Sequence, residues 1–130
     1  MYIDVCCAII KKDGKILAAK RKPIGLRGGM WEFPGGKIEE NETPEDCIKR
    51  EIIEELGMKI EIIKKLPTVK HSYHDINIRL TPFFASALSE ITRLESHEKA
   101  DFFEKSELSN LKWSEADRLV LNQWLKESNR

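Results

Sequence analysis

The sequence predicts a single domain of the α/β (α+β) class, with helices packed against a central sheet. Three observations carry that reading. An Asp-Gly turn between two apolar runs opens the chain as a hairpin, and two β-branched, alternating runs occupy its middle. Two segments with helical apolar spacing are interspersed with these strands, and strands mixed with helices pack as layers around one core. The chain has 130 residues, a size at which one core buries roughly two thirds of the unfolded surface, so residues 1–130 are read as one domain.

The elements follow in order. "YIDVCCAIIKKDGKILAAKRK" reads as two strands joined by Lys12-Asp13-Gly14-Lys15, since Asp-Gly favours the tight hairpin turn. Residues 23–30, "PIGLRGGM", are glycine-rich loop. "WEF" is a short strand leading into Pro34-Gly35-Gly36. The helix that follows has marked ends. Thr43 suits the N-cap, Pro44 the first helical position, Glu45 and Asp46 the positive N-terminus, and Gly57 the C-terminal stop. "KIEIIKKL" and "DINIRLTPFFASAL" read as strands. Ser114 is the expected cap of a last helix, with Ala116, Leu119, Val120 and Trp124 as its apolar stripe.

Composition narrows the function. Lys+Arg and Asp+Glu each number 22, so bulk charge gives no case for nucleic-acid or membrane binding, while a small anionic ligand fits a local cluster. The apolar run Val5–Ile10 is too short for a membrane span or a leader, and a cytoplasmic protein, monomer or homodimer, is the expectation. Cys6, Cys7 and Cys47 are odd in number and lack metal-site spacing, which makes them buried reduced thiols.

The charge is unevenly placed. Residues 35–58 hold eight carboxylates: Glu39, Glu40, Glu42, Glu45, Asp46, Glu51, Glu54 and Glu55. At about 100° per residue, Glu51, Glu54 and Glu55 fall in one wedge of the helix. Ile48, Ile52 and Leu56 form the neighbouring wedge and face the core. Like charges so spaced destabilise a helix slightly. Two readings stand open on geometry alone. One is a solvated acidic face partly neutralised by Lys49, Arg50 and Lys59. The other is a site for a divalent cation such as Mg²⁺, which takes hard oxygen ligands and shares its shell with substrate phosphates.

Residues 36–58 resemble the Nudix box, Gly-x5-Glu-x7-Arg-Glu-U-x-Glu-Glu-x-Gly-U, where U is bulky and apolar. Gly36, Glu42, Arg50, Glu51, Ile52, Glu54, Glu55, Gly57 and Met58 fill every defined position. With "WEFPGGKIE" ahead of the helix, the chain is similar to the MutT-like branch of the Nudix hydrolases. The resemblance implies an α/β/α sandwich with a central mixed sheet and hydrolysis of (deoxy)nucleoside triphosphates. Water would attack the β-phosphorus and release a nucleoside monophosphate and pyrophosphate. It further implies Mg²⁺ as cofactor, with Mn²⁺ as a substitute. Glu51, Glu54 and Glu55 would be ligands together with the Gly35 carbonyl, and Glu42 and Arg50 would support them, Arg50 orienting the carboxylates.

Outside the box the resemblance points to Glu98 as a catalytic or metal-binding glutamate in a late loop, with Glu95 as the fallback. It points to Arg21 as a contact to phosphate or sugar, and Lys37 also stands near the phosphates. Asp117 occupies the position that reads the base. Where the MutT-like pattern has an Asn that reads 8-oxoguanine, this chain has Asp, and an Arg on the preceding strand is replaced by Ile76. An ionised Asp117 only accepts hydrogen bonds and would favour the cytosine amino group. Phe33, Phe83 and Trp113 are candidates for the pocket wall or, as aromatics usually are, for the core. The expected function is removal of modified nucleotides such as 8-oxo-dGTP. A CTP- or dCTP-preferring enzyme and another nucleoside-diphosphate-linked substrate are the alternatives, and a non-catalytic nucleotide sensor is a third.

Overall fold

A computed structural model describes residues 1–128. Among them the order is β1 (Ile3–Lys12), β2 (Lys15–Arg21), β3 (Trp31–Glu32), β4 (Gly35–Lys37), α1 (Pro44–Leu56), β5 (Ile60–Lys65), β6 (Val69–Ser72), β7 (Asn77–Ala87), β8 (His97–Phe103), a 3₁₀ turn over Lys105–Asn110, and α2 (Glu115–Ser128). The strands form one mixed sheet, in which β1 runs parallel to β7 and every other pairing is antiparallel.

The opening hairpin forms as its turn dictates. Asp13 and Gly14 both take positive φ, 51° and 78°, the combination whose twist matches paired strands. Beyond it β1 and β2 separate: they pair only at Lys11↔Ile16 and Lys12↔Lys15. Into that fork enters β4, which reads as loop in the sequence but pairs with β1 at Val5↔Lys37, Cys6↔Gly36 and Cys7↔Gly35. A side chain at Gly35 would run into the Cys6 carbonyl and the Cys7 backbone, so glycine is required for β4 to lie there.

Period-two alternation divides the core into two layers. Cys6, Ala8, Ile10, Leu17, Phe83 and Ala85 face α1 and meet its buried Cys47, Ile48, Ile52 and Leu56. Cys7, Ile9, Ile16, Ala18 and Leu80 face α2 and meet Ala116, Val120, Leu121 and Trp124. The result is the expected helix–sheet–helix sandwich. In α1 the expected ends are present. Thr43 Oγ1 accepts the Asp46 N–H at 3.0 Å, and Gly57, at φ 60°, closes the helix by donating to the Ile53 carbonyl.

Four expectations change. Leu119 is 41% exposed, because α2 turns the face bearing Ala116, Val120 and Trp124, together with Asp117 and Leu121, toward the sheet. Ser114 does not cap α2 with its side chain, whose hydroxyl has no partner; the Ala116 N–H is instead taken by the Tyr73 hydroxyl at 2.9 Å. Residues 97–103 form β8 on β2 rather than a loop. Strand β6, unread in the sequence, pairs with β7. The three cysteines are free and buried as expected. Cys6 and Cys47 bring their sulfurs to 2.7 Å across the seam between β1 and α1. Among the described residues no helix is long and apolar enough to cross a membrane.

Candidate active site

Arg50 organises the acidic helix. Its Nε and Nη2 donate to the two oxygens of Glu42 at 2.6 and 2.9 Å. Its Nη1 donates to Glu51 at 2.9 Å and Glu54 at 3.1 Å, and its Nη2 also reaches the Lys37 carbonyl at 3.2 Å. Of the three cations weighed for neutralising this face, Arg50 alone has described ion pairs with its carboxylates. The bond from Arg50, then the Glu39 N–H, holds the Glu42 carboxyl down at about 2. Burial pushes the Glu51 carboxyl up, Arg50 opposes that, and the neighbouring charges of Glu54 and Glu55 add to it. A side chain at Gly36 would collide with the Glu51 carboxylate, so this glycine is the cradle in which Glu51 lies.

Glu55 is held differently. One oxygen accepts from Ser96 Oγ at 3.2 Å. The other, Oε2, is buried without a hydrogen-bond partner, as is His97 Nδ1, and the two lie 3.8 Å apart. His97 Nε2 is 2.7 Å from Glu32 Oε2, and the second oxygen of Glu32 accepts from Arg21 at 3.2 Å. Glu32 and His97 were not among the residues singled out from the sequence. Their roles depend on β8 lying beside β2, and no local pattern announces that pairing.

Beside this edge lies a cavity of about 210 Å³ whose walls include Arg21, Glu32, Phe33, Tyr73 and Asp117. Asp117, 8% exposed, accepts the Phe33 N–H on Oδ1 at 2.9 Å. Burial, and after it the negative charge of Glu32, pushes the Asp117 carboxyl well above its ordinary range. Both causes act against the ionised, acceptor-only form in which Asp117 was expected from sequence. Tyr73 carries the Arg27 guanidinium 4.4 Å from its ring centre, and Arg27 forks onto Asp75 at 3.0 and 3.2 Å. Phe33 stacks on Trp113 at 4.6 Å. Phe83 is fully buried on the α1 side and takes no part in the cavity wall. Ile76 lines the cavity from the turn before β7.

Other candidates fall further away. Glu98 lies on β8 and is ion-paired with Lys20 at 3.5 Å, and among the described residues no hydrogen bond or ion pair joins it to α1. Its neighbour His97 is the side chain that reaches Glu55, because adjacent residues of a strand point to opposite sides. Glu95 touches Glu55 through its backbone, donating to the Glu55 carbonyl at 3.1 Å. Lys37 is exposed on β4, and its backbone carbonyl helps hold Arg50.

The donor set fits a hard divalent cation. Glu51, Glu54 and Glu55 supply carboxylate oxygens, Gly36 packs against the Glu51 carboxylate, and the partnerless Oε2 of Glu55 has an acceptor position free for a cation. As arranged here, Arg50 neutralises two of these carboxylates, and among the described residues no three His, Cys, Asp or Glu side chains already stand in ligand geometry.

Comparison with known proteins agrees with this geometry. The NUDIX domain family model matches residues 5–123. The chain is 41% identical over 78 residues to an 8-oxo-dGTP diphosphatase of Proteus vulgaris, a stretch covering 60% of this chain and 70% of that protein. It is 45% identical over 60 residues to a CTP pyrophosphohydrolase of Escherichia coli, covering 46% of this chain and 44% of the relative. The crystal structure of a MutT Nudix hydrolase from Burkholderia pseudomallei superposes with a TM-score of 0.85 at 31% identity, over 95% of this chain and 98% of that one. Box, sandwich and relatives converge, and the chain belongs to the Nudix hydrolase family, alongside its MutT-like members.

Proposed function

We propose that this protein hydrolyses (deoxy)nucleoside triphosphates to a nucleoside monophosphate and pyrophosphate, acting on modified nucleotides of the 8-oxo-dGTP kind. The observation that carries the reading is that the Gly35-Gly36 pair joins the two halves of the site. Both glycines line the cavity that holds Asp117, and Gly36 cradles Glu51 of the acidic helix. A base lodged at Asp117 therefore directs its phosphates toward Glu51, Glu54 and Glu55. Nudix hydrolases generally need divalent cations; here we assign Mg²⁺, with Mn²⁺ as a substitute, held by those three glutamates and the Gly35 carbonyl. Bound there, the cation would neutralise phosphate oxygens and acidify the attacking water.

The chain's own groups do the rest. Arg50 fixes the directions of Glu51 and Glu54 through charge-assisted hydrogen bonds. Arg21, on the cavity wall, faces the phosphate or sugar, and Lys37 adds positive charge from β4. Water attacks the β-phosphorus and gives its proton to the α1 carboxylates rather than to Glu98, which Lys20 engages.

For the base, Oδ1 of Asp117 accepts the Phe33 N–H and keeps a second lone pair, so both carboxyl oxygens can take part in recognition. A protonated carboxyl presents a donor beside an acceptor, the pattern of an amide. That pattern suits O6 and N7–H of 8-oxoguanine and removes the repulsion an ionised carboxylate would feel from O6. The likeness to a CTP pyrophosphohydrolase supports cytosine as the second reading, since N3 and N4–H of cytosine offer the same pair.

A panel of 8-oxo-dGTP, dGTP, CTP and dCTP with Mg²⁺, followed by pyrophosphate release in ¹⁸O-water, tests the proposal. We expect 8-oxo-dGTP to have the highest kcat/KM and the label to enter pyrophosphate. Absence of triphosphate hydrolysis, or label confined to the monophosphate, overturns it.

A further inference from the structure

The segment 95–97 touches Glu55 at three points, two of them at its carboxylate. Ser96 Oγ donates to Oε1, the Glu95 N–H donates to the Glu55 carbonyl, and His97 Nδ1 faces Oε2 at 3.8 Å. We propose that His97, assisted by Ser96, is a positioning residue that sets the direction of the Glu55 carboxylate and with it the affinity of the acidic site for its divalent cation. The inference rests on the reading that Glu55 is a ligand.

Burial gives the argument its force. The His97 side chain is 4% exposed, and the large majority of side-chain polar atoms so enclosed have a hydrogen-bond partner. At Nε2 the partner is Glu32, at 2.7 Å. At Nδ1 no hydrogen bond is made, and the group it faces, Glu55 Oε2, is equally buried and equally without a partner. Two orphaned polar atoms facing each other each carry a desolvation cost, and the 3.8 Å approach couples the direction of the Glu55 carboxylate to the place of the His97 ring. His97 is itself kept in place from behind. Arg21 holds Glu32, and Glu32 holds Nε2. A single line, Arg21–Glu32–His97–Glu55, thus runs from the proposed phosphate contact to the proposed cation ligand. Of the proposed ligands Glu51, Glu54 and Glu55, Glu55 alone is tied to this line among the described residues, while Glu51 and Glu54 are tied to Arg50. Outer partners of this kind typically contribute 10–100-fold in metal affinity.

The experiment measures Mn²⁺ binding to the nucleotide-free protein by electron paramagnetic resonance, with circular dichroism and Tm recorded without metal. We expect His97→Asn to raise the Mn²⁺ Kd about tenfold or more, and Ser96→Ala to raise it by a smaller factor. Ser96→Thr, which keeps the hydroxyl, should restore the wild-type value. Asp101→Asn, an exposed change on the same strand, should leave it unmoved. A folded His97→Asn that binds Mn²⁺ within twofold of wild type overturns the proposal. Should His97→Asn fail to fold, Ser96→Ala at an exposed position decides: unchanged affinity there also overturns it. Glu55→Gln separates this inference from the metal-site reading beneath it. If Glu55→Gln leaves Mn²⁺ binding intact, the metal reading falls. If it abolishes binding while His97 and Ser96 variants do not weaken it, only the positioning role falls.

Discussion

Asp117 and Glu42 are both carboxyls, and the fold drives them in opposite directions. Glu42, paired with Arg50, sits at about 2 against an ordinary 4.5. Its contribution to stability is complete above 4.5 and is lost as pH falls through about 2. Asp117, raised above 3.8 by burial and by Glu32, contributes fully below 3.8 and loses that contribution as pH rises through its folded value. Thermal unfolding from pH 2 to pH 8 should show both limbs. Glu42→Gln should flatten the acid limb alone, and Asp117→Asn the opposite one alone. The same proton governs selectivity. In the wild type, the kcat/KM ratio of 8-oxo-dGTP to dGTP should fall about tenfold as Asp117 ionises, the worth of one good base contact. In Asp117→Asn the ratio should stay level with pH. A wild-type ratio independent of pH would remove Asp117 from base reading. The position of Asp117 was legible in the sequence, whereas its proton affinity was not, because Glu32 and the burying walls come from distant strands.

At the scale of elements, α1 was the most legible part of the chain. Its caps and apolar spacing act within a few residues, so Thr43, Gly57, Ile48, Ile52 and Leu56 stand where local chemistry puts them. Strand β8 was not legible. The family resemblance set its residues in a loop, and only the neighbouring β2 makes them a strand. The short β4 was masked in the same way, since two glycines signal a turn until β1 supplies their partners. These glycines should respond differently to alanine. At Gly35 the obstruction is the backbone of Cys6 and Cys7, which cannot step aside, so Gly35→Ala should destabilise by about 3 kcal/mol, the upper end for overpacking. At Gly36 the obstruction is the Glu51 side chain. Gly36→Ala should therefore leave Tm within a few degrees while turnover falls by orders of magnitude. Denaturant melts beside pyrophosphate assays separate the two cases. Glu54→Gln and Glu55→Gln should each cut turnover by orders of magnitude at limiting Mg²⁺ with the fold intact. Wild-type turnover in both would remove the cation from α1.

For the whole molecule, the central device is the fork between β1 and β2. The two strands part after the hairpin, β4 fills the gap, and one central strand, β1, then borders the cavity and backs the acidic helix. The sandwich class was legible because alternation and amphipathic spacing are averaged over many residues. The fork was not, since it depends on which strand pairs with which, and pairing leaves little trace in local sequence.

The buried thiols turn this architecture into its own stopwatch. Cys6 and Cys47 close the seam between β1 and α1, while Cys7 points to the other layer. Burial pushes all three thiols up, so a thiol reagent reacts only in the moments when a layer opens, and labelling rates time those openings. Cys6 and Cys47 should label together, and Mg²⁺ should slow them by tightening α1. Cys7 should respond to nucleotide instead. Equal slowing of all three by Mg²⁺ alone would mean that the two layers breathe as one.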